Sequence, residues 1–352
     1  MMIPHFRPGF EPSAAEALID TFQSGYIVQG PRVRQLEQQL EELIGRHYAV
    51  AVSSGTTALT LALRVAGVNP LDEVIIPAYT CAALWQAVCA LGAIPVFADI
   101  ENETFNADPC AIKALICPRT RAIIFPHMFG QPGFIQEIMD SGIPVIEDIA
   151  QAIGARIDGL PAGRFGSLTI TSFYATKMIG AGEGGAILTD DPVWAEKLRD
   201  LRDYDEKDDL HLRFNAKMTD LTAAIASAQL SHLPAMITAR QQILSRFDVL
   251  HEIIRIPTKT TSSFDSNLYR CIISIPGSTS EAIISQARAA GIICRKPVFR
   301  PLHHYHPHPP LAQTESAWQT QVSVPFYPRL QDHEIQLLVT FFNSIFRPHD
   351  ER

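Results

Sequence analysis

The residues most able to do chemistry lie in "TSFYATKMIGAGEGGAILTDD", Thr171 to Asp191. Gly180, Gly182 and Gly185 spell G-x-G-x-x-G, a turn that carries a dinucleotide pyrophosphate when a strand precedes it and a helix follows. Here the glycines lead into "GGAILTDD", a short apolar run closed by Asp190 and Asp191, which predicts a strand. Without a helix N-terminus the dinucleotide reading loses its physical basis, and attention moves to Lys177. That lysine sits between the apolar strand "SLTITSF" and the glycine cluster, where little bulk would crowd a planar ligand. A lysine withdrawn from water offers a neutral amine for a Schiff base; the ordinary alternative is a solvated surface group.

Three further motifs supply partners. In "VAVSSGTTALTLAL" a strand, a Ser/Gly/Thr turn and a helix put Gly55 and Thr56 at a helix N-terminus. That is either an anion site or a plain N-cap made by Ser54 or Thr56. "PVIEDIAQAIGA" ends a strand on Glu147 and Asp148, with Gln151 three residues on. Such an aspartate can cap the next helix, or it can pair with a pyridinium nitrogen, as pyridoxal phosphate (PLP) chemistry requires. Ser172 could add a hydroxyl to a phosphate site, and Asn215 precedes a helix opening near Thr219, where capping or a turn is the ordinary role.

These residues need elements to hold them. Ser13 and Glu16 read as a capping box before a first helix ended by Gly25. A second helix starts at Pro31, carries Val33, Leu36, Leu40 and Leu43 on one face and stops at Gly45. Apolar strands "YAVAV", "VIIP", "IPVFADI", "RAIIFP" and "IPVIED" then alternate with helical segments such as "TCAALWQAVCALG" and "GFIQEIMDSG". Continuous apolar strands suit a sheet covered on both faces, so an α/β domain with a mostly parallel sheet is expected, its ligands beyond the strand carboxyl ends. A polar loop "RDYDEKDDLHLRFNAKM" leads to a helical region from Thr219 to Ile254 broken near Pro234. A strand "LYRCIISI", a helix from Ser280, a strand "GIICRK" and a last helix "QDHEIQLLVTFFNSIF" predict a smaller α+β domain. The expected division is an N-terminal arm and first helix over 1–30, a large domain over 31–235 and a small domain over 236–352.

Composition narrows the classes. The chain has 352 residues, 47% of them hydrophobic, with a formal net charge of -8, so nothing electrostatic favours nucleic acid or an anionic membrane. The N-terminal residues show no signal pattern and no apolar run approaches the ~20 residues of a membrane span, so a cytoplasmic location is expected. Six cysteines, Cys81, Cys89, Cys110, Cys117, Cys271 and Cys294, form no C-x-x-C pair, and since most sit inside apolar runs they read as buried, reduced thiols. The run "PLHHYHPH" offers His303, His304, His306 and His308, but metal sites usually collect ligands from separated elements and add carboxylate or thiolate partners, so no metal is expected.

Taken in order, "GPRVRQLEQQLEELIGRHYAVAVSSGTTAL", "DEVIIPAYTCAA", "GAIPVFADIENETFNADP", "HMFGQP", "IEDIAQAIGA", "FGSLTITSFYATKMIGAGEGG", "FNAKMTDLTAAIASAQL", "RPLHHY" and "VPFYPRL" resemble the DegT/StrS-type PLP-dependent sugar aminotransferases over nearly the whole chain. The resemblance implies the fold type I aminotransferase architecture and a homodimer with shared active sites. It makes Lys177 the Schiff-base lysine, pairs Asp148 with the pyridine nitrogen and sets Gln151 on the ring hydroxyl. Gly55, Thr56 and Ser172 would hold the phosphate, joined by Asn215 of the neighbouring subunit. Glu183 would line the substrate loop, and His303 would approach the sugar from the neighbouring subunit. Relatives often stack an aromatic residue on the ring where this chain has Cys81, with Tyr79 the residue that could compensate, and Lys217 replaces a frequent arginine. The implied reaction moves an amino group from glutamate to a keto-sugar linked to a nucleoside diphosphate. Related dehydratases carry histidine in place of the lysine, and a non-catalytic binding or regulatory member would lack Asp148, Lys177 or Ser172; all three are present.

Overall fold

The computed structural model describes residues 2–247, 250, 252–253 and 263–346. Two helices, α1 (Pro12–Ser24) and α2 (Pro31–Ile44), open the chain and end on Gly25 and Gly45, both at φ 76°. A regular alternation follows: β1 (Tyr48–Val52), α3 (Gly55–Val65), β2 (Glu73–Pro77), α4 (Ala82–Cys89), β3 (Ile94–Ala98), α5 (Pro109–Leu115), β4 (Thr120–Pro126) and β5 (Val145–Asp148). After a small hairpin of β6 (Arg156–Ile157) and β7 (Leu160–Pro161) come β8 (Leu168–Ser172), β9 (Gly185–Thr189) and α6 (Pro192–Arg202). Seven of these strands form one sheet in the order β1-β9-β8-β5-β4-β2-β3. β9 runs antiparallel to both β1 and β8, while β8, β5, β4, β2 and β3 are mutually parallel.

Burial on both faces explains the unbroken apolar strands. Every residue of β2 is buried, and its side chains alternate between cores: Val74 and Ile76 join Leu59, Ile124 and Ile146 on one face, Ile75 joins Ile123, Phe125 and Val145 on the other. α2 seals the β1–β9 side with Val33, Leu36, Leu40 and Ile44, all at most 1% exposed.

The chain continues through α7 (Asp220–Ser231) and α8 (Leu233–Ser245), then β10 (Phe264–Asp265), β11 (Cys271–Ile273), α9 (Ser280–Ala289), α10 (Ala312–Thr320), β12 (Val322–Val324) and α11 (Asp332–Phe346). A separate core joins Phe247, Ile273, Ile283, Val322, Leu338 and Phe342, and it includes Ile3 from the extreme N-terminal side. Ile3 bridges Ile292 in a parallel pair, so the start of the chain is stitched to the C-terminal unit.

Local signals mislead in four places. No capping box forms at α1: Glu11 is the N-cap without a side-chain bond, and the Ser13 hydroxyl instead meets His232 Nε2 at 3.1 Å. "GFIQEIMDSG" folds as a 3-10 segment, Ile135–Ser141, short enough that Ile135 and Ile138 alone are buried. Of the six cysteines only Cys271 and Cys294 are buried, and Cys81 and Cys110 are exposed. The expected break near Pro234 does occur: α7 ends at Ser231 and α8 starts at Leu233, with Pro234 in its first turn, where the missing N–H is harmless; Ile254 lies outside the described residues. "GIICRK" makes only isolated bridges, Ile292 to Ile3 and Arg295 to Ser323, because its two ends pair with different segments, the N-terminal residues and β12.

The carboxyl end of β5 positions the site. Successive residues of a strand point to opposite faces, so Glu147 and Asp148 diverge. Glu147 is fully buried, and its oxygens accept from Gly163 N (2.6 Å), Phe165 N (2.9 Å), Gly166 N (2.8 Å) and His127 Nε2 (2.9 Å). Gly133 N donates to His127 Nδ1 at 3.0 Å, so that nitrogen keeps its lone pair and Nε2 carries the proton toward Glu147. Burial would raise the Glu147 pKa, but the bond from His127 and those from Gly166 and Gly163 outweigh it and hold the carboxyl below its ordinary value. A depressed folded pKa stabilises the fold above the unfolded value, and that stability is lost as pH falls through the folded value. Glu147→Gln should therefore destabilise the protein by about 3–5 kcal/mol at pH 7. In urea unfolding the gap to wild type should shrink as pH drops below 4.5, the ordinary glutamate value.

Candidate active site

Asp148 turns to the opposite side, into a cavity of about 320 Å³ beyond the strand ends. The cavity is lined by Gly55, Thr56, Cys81, Asp148, Gln151, Ser172, Lys177 and Glu183, eight of the eleven residues singled out in the sequence. Each comes from a strand end or the turn after it, the position expected for ligands of open α/β sheets.

The floor is the N-terminus of α3. Ser54 caps it by accepting from Thr57 N at 3.1 Å, and Ala58 N bonds Ser54 O at 2.9 Å. The first two N–H groups, of Gly55 and Thr56, have no acceptor within the helix and point outward with the positive end of the helix dipole. Ser54 is thus the cap, and the N–H groups of Gly55 and Thr56 are left without an acceptor in the helix. Gly55 has to be glycine because a Cβ there would lie 2.7 Å from Ser172 Cβ. That close approach sets the Ser172 hydroxyl beside the free N–H groups.

Lys177 reaches the cavity from the loop after β8. Phe173 N bonds Gly184 O at 2.9 Å, Ala175 N bonds Gly182 O at 3.0 Å and Lys177 N bonds Tyr174 O at 2.8 Å, so the loop folds back on itself. Gly184 sits at φ 133°, a conformation closed to other residues, and leads straight into β9. The glycine run therefore serves a strand-to-strand turn and no dinucleotide helix. Lys177 Nζ lies 5.7 Å from the centroid of the buried Tyr269 ring.

Asp148 Oδ1 accepts from Ala150 N at 2.8 Å. Burial pushes its pKa up, with the Ala150 N–H and the Lys177 charge offsetting only part. Such a carboxylate favours a cationic hydrogen-bond donor in the cavity. Gln151 is held by Phe129 N, which donates to its Oε1 at 2.9 Å.

Three expected residues do not line this cavity, two of which, Asn215 and His303, were expected to act from a neighbouring subunit. Tyr79 is fully buried among Phe105 and Phe129, and its hydroxyl has no partner, so its ring is not available beside Cys81. His303 is buried against Glu315, with Nε2 to Oε1 at 2.8 Å. Asn215 is exposed, next to Ala216, whose carbonyl accepts from Ser53 N at 2.8 Å. Lys217 is occupied by Asp203 and by Asp205, the latter at 3.6 Å. Sequence reasoning missed His127 and Tyr269. His127 follows β4 directly and lines the cavity, a strand-end signal that was there to use; Tyr269 meets Lys177 only through the tertiary fold.

Cys81 and Tyr174 also border a wider groove of about 1400 Å³. Arg270, Arg295, Lys296 and Arg300 line it without any carboxylate among the lining residues. Arg270 stacks on Tyr269 at 4.7 Å and approaches His5, and Lys296 lies over Trp318 at 3.5 Å.

The sequence profile of the DegT/DnrJ/EryC1/StrS aminotransferase family matches residues 10–343. A UDP-N-acetyl-3-dehydro-alpha-D-glucosamine 3-aminotransferase of Acidithiobacillus ferrooxidans is 32% identical, over 89% of this chain and 88% of its own. A pleiotropic regulatory protein of Geobacillus stearothermophilus is 30% identical, over 96% and 95%. Among solved structures, DesI in the presence of its TDP-sugar product superposes with a TM-score of 0.88 at 27% identity, over 97% of this chain and 92% of that one. Profile, relatives and fold agree over nearly the full length, and the chain belongs to the DegT/DnrJ/EryC1/StrS aminotransferase family.

Proposed function

We propose that this protein is a PLP-dependent aminotransferase that moves an amino group from glutamate to a keto-sugar carried on a nucleoside diphosphate. The observation that carries this reading is a single cavity lined by a lysine, a buried carboxylate and a free helix N-terminus. The donor set suits the cofactor: Gly55 leaves room where a Cβ would close the cradle, and Asp148 is a carboxylate whose burial calls for a cationic partner.

When bound, PLP supplies an aldehyde that exchanges amino groups and a ring that withdraws electrons from the reacting carbon. Asp148 would keep the ring nitrogen protonated, and Gln151 would hold the ring hydroxyl. The Gly55 and Thr56 N–H groups and the Ser172 hydroxyl would donate to the phosphate. Lys177 would anchor the cofactor through Nζ and, once released, carry a proton between adjacent carbons, so one side chain serves as nucleophile and general acid/base. The Tyr269 ring offers that amine a face to rest against while it is protonated. Cys81 supplies little stacking area, leaving the ring held mainly by its edges. Glu183 would meet the substrate side. Asn215 would reach the phosphate of a second copy of the chain, which makes a homodimer part of this reading. The cationic groove next to Cys81 would receive the diphosphate, with Arg295 and Arg300 the exposed guanidinium groups in it.

A regulatory reading has one observation in its favour, the description of the Geobacillus relative. Catalysis is preferred because Lys177, Asp148 and Ser172 share one cavity.

Lys177→Ala should abolish the visible absorbance of bound cofactor and lower turnover by at least about 100-fold; a regulatory protein would show no turnover to lose. Asp148→Asn should likewise lower turnover. Its raised folded pKa means the ionised carboxylate opposes folding above the unfolded value, 3.8. The cofactor-free Asp148→Asn protein should therefore unfold at higher urea than cofactor-free wild type at pH 7, the difference vanishing as pH falls toward 3.8. Incubation with glutamate and a panel of nucleotide-linked 3-keto and 4-keto sugars should give one amino-sugar by mass spectrometry. Amination of free sugars alone would exclude the nucleotide requirement.

A further inference from the structure

The histidine run at residues 303–308 is split by the fold into separate environments. His306 packs on Trp85 with ring centroids 5.5 Å apart, and His308 packs on Phe97 at 5.6 Å. His303 and His304 turn instead toward α10, where Glu315 brings its Oε1 to His303 Nε2 at 2.8 Å and to His304 Nε2 at 2.5 Å. The carboxylate partner that the sequence run lacks is thus delivered from a different element.

We propose that His303, His304 and Glu315 form a binding site for one divalent transition-metal ion of the Zn²⁺ class, which ties the 301–305 turn to α10 beside the cationic groove. This goes beyond amino transfer and does not depend on it.

Four observations carry the proposal. The three ligand atoms lie within 4.8 Å of one another. Around Zn²⁺, with metal–ligand lengths of about 2.0–2.2 Å, tetrahedral neighbours stand roughly 3.4 Å apart, so small side-chain rotations convert the hydrogen-bonded cluster into a coordination sphere. Two imidazoles and one carboxylate match a three-ligand zinc set with one position left open, and imidazole disfavours Mg²⁺ and Ca²⁺. That open position has access to water, since the His304 and Glu315 side chains are 21% and 24% exposed.

The elements are also fixed before an ion arrives. Leu302 N bonds Ala78 O at 2.9 Å, anchoring the turn to the end of β2. Asp99, just beyond β3, accepts from Gln313 N at 3.0 Å, Thr314 N at 2.9 Å and Thr314 Oγ1 at 2.8 Å, anchoring the first turn of α10. Finally, His303 is 3% exposed, yet its Nδ1 has no hydrogen-bond partner. The neighbouring His308 ring, its centroid 5.8 Å from that of His303, is turned away to bond Pro309 O through Nδ1. An ion here would also steady Arg300, whose Nη2 donates to His304 O at 2.7 Å at the edge of the groove.

The test uses the untagged, PLP-loaded full chain, stripped with chelator and dialysed against Zn²⁺ or Mg²⁺ alone. Wild type should retain about one Zn²⁺ per chain and no Mg²⁺, and its thermal midpoint should rise with Zn²⁺. Glu315→Gln, close in shape to the original, should bind Zn²⁺ at least about 100-fold more weakly and lose the thermal shift, with an unchanged far-UV spectrum. Equal Zn²⁺ retention by Glu315→Gln, no retention by wild type, or retention of Mg²⁺ in place of Zn²⁺ would each overturn the proposal. If Glu315→Gln does not fold, Co²⁺-loaded wild type decides: visible bands without a thiolate charge-transfer band support the site, and a thiolate band places the ion on cysteine and sinks it.

Discussion

The site depends on two adjacent carboxylates at the end of β5 being driven apart by the pleat of a strand. Glu147 enters the protein and is satisfied by three backbone N–H groups and His127, while Asp148 faces the cavity with one backbone bond. A buried negative charge is tolerated only when its lone pairs are occupied, so Glu147 fixes the 163–166 turn behind the sheet. It also fixes His127, which lines the cavity beside Asp148. The rigid half of the pair holds the chemically open half in place.

The same logic of close approach shapes the end of the cavity at α3. Ser172 at the end of β8 and Gly55 at the start of α3 come so near that a side chain on residue 55 is impossible. Gly185, opening β9, stands against the same turn, where an added Cβ would be 2.7 Å from Ser54 C. Three chain segments converge on one helix N-terminus. Its free N–H groups then meet the loop that carries Lys177, with Tyr269 arriving from the C-terminal unit to face the lysine amine.

That C-terminal unit adds what the sheet does not contain. Its core takes in Ile3, and the bridge from Ile3 to Ile292 brings His5 beside Arg270 at the groove. Burial and the neighbouring Arg270 and Arg295 charges lower the His5 pKa to about 3, so the ring stays neutral and leaves the groove's charge to its arginines and lysine. The cavity and the cationic groove meet at Cys81 and Tyr174.

Periodicity and strand-end position were enough to read the alternating α/β sheet and to pick out Lys177, Asp148, Gln151, Ser172, Gly55 and Thr56, because each is local: a residue just after an apolar run. Local signals failed where a long-range partner competes. Ser13 was drawn from its cap by His232, and "GIICRK" was divided between Ile3 and Ser323. Tyr79 is near enough in sequence to Cys81 to suggest that it could stack in its stead, but packing against Phe105 and Phe129 removed it from the cavity. The histidine run looked like a metal motif without an acid, and only the packing of α10 supplied Glu315. The sequence alone thus determined which groups the strands present at their ends. The tertiary structure decided which of those groups share a space, since distances between segments far apart in the chain are set by packing and not by spacing.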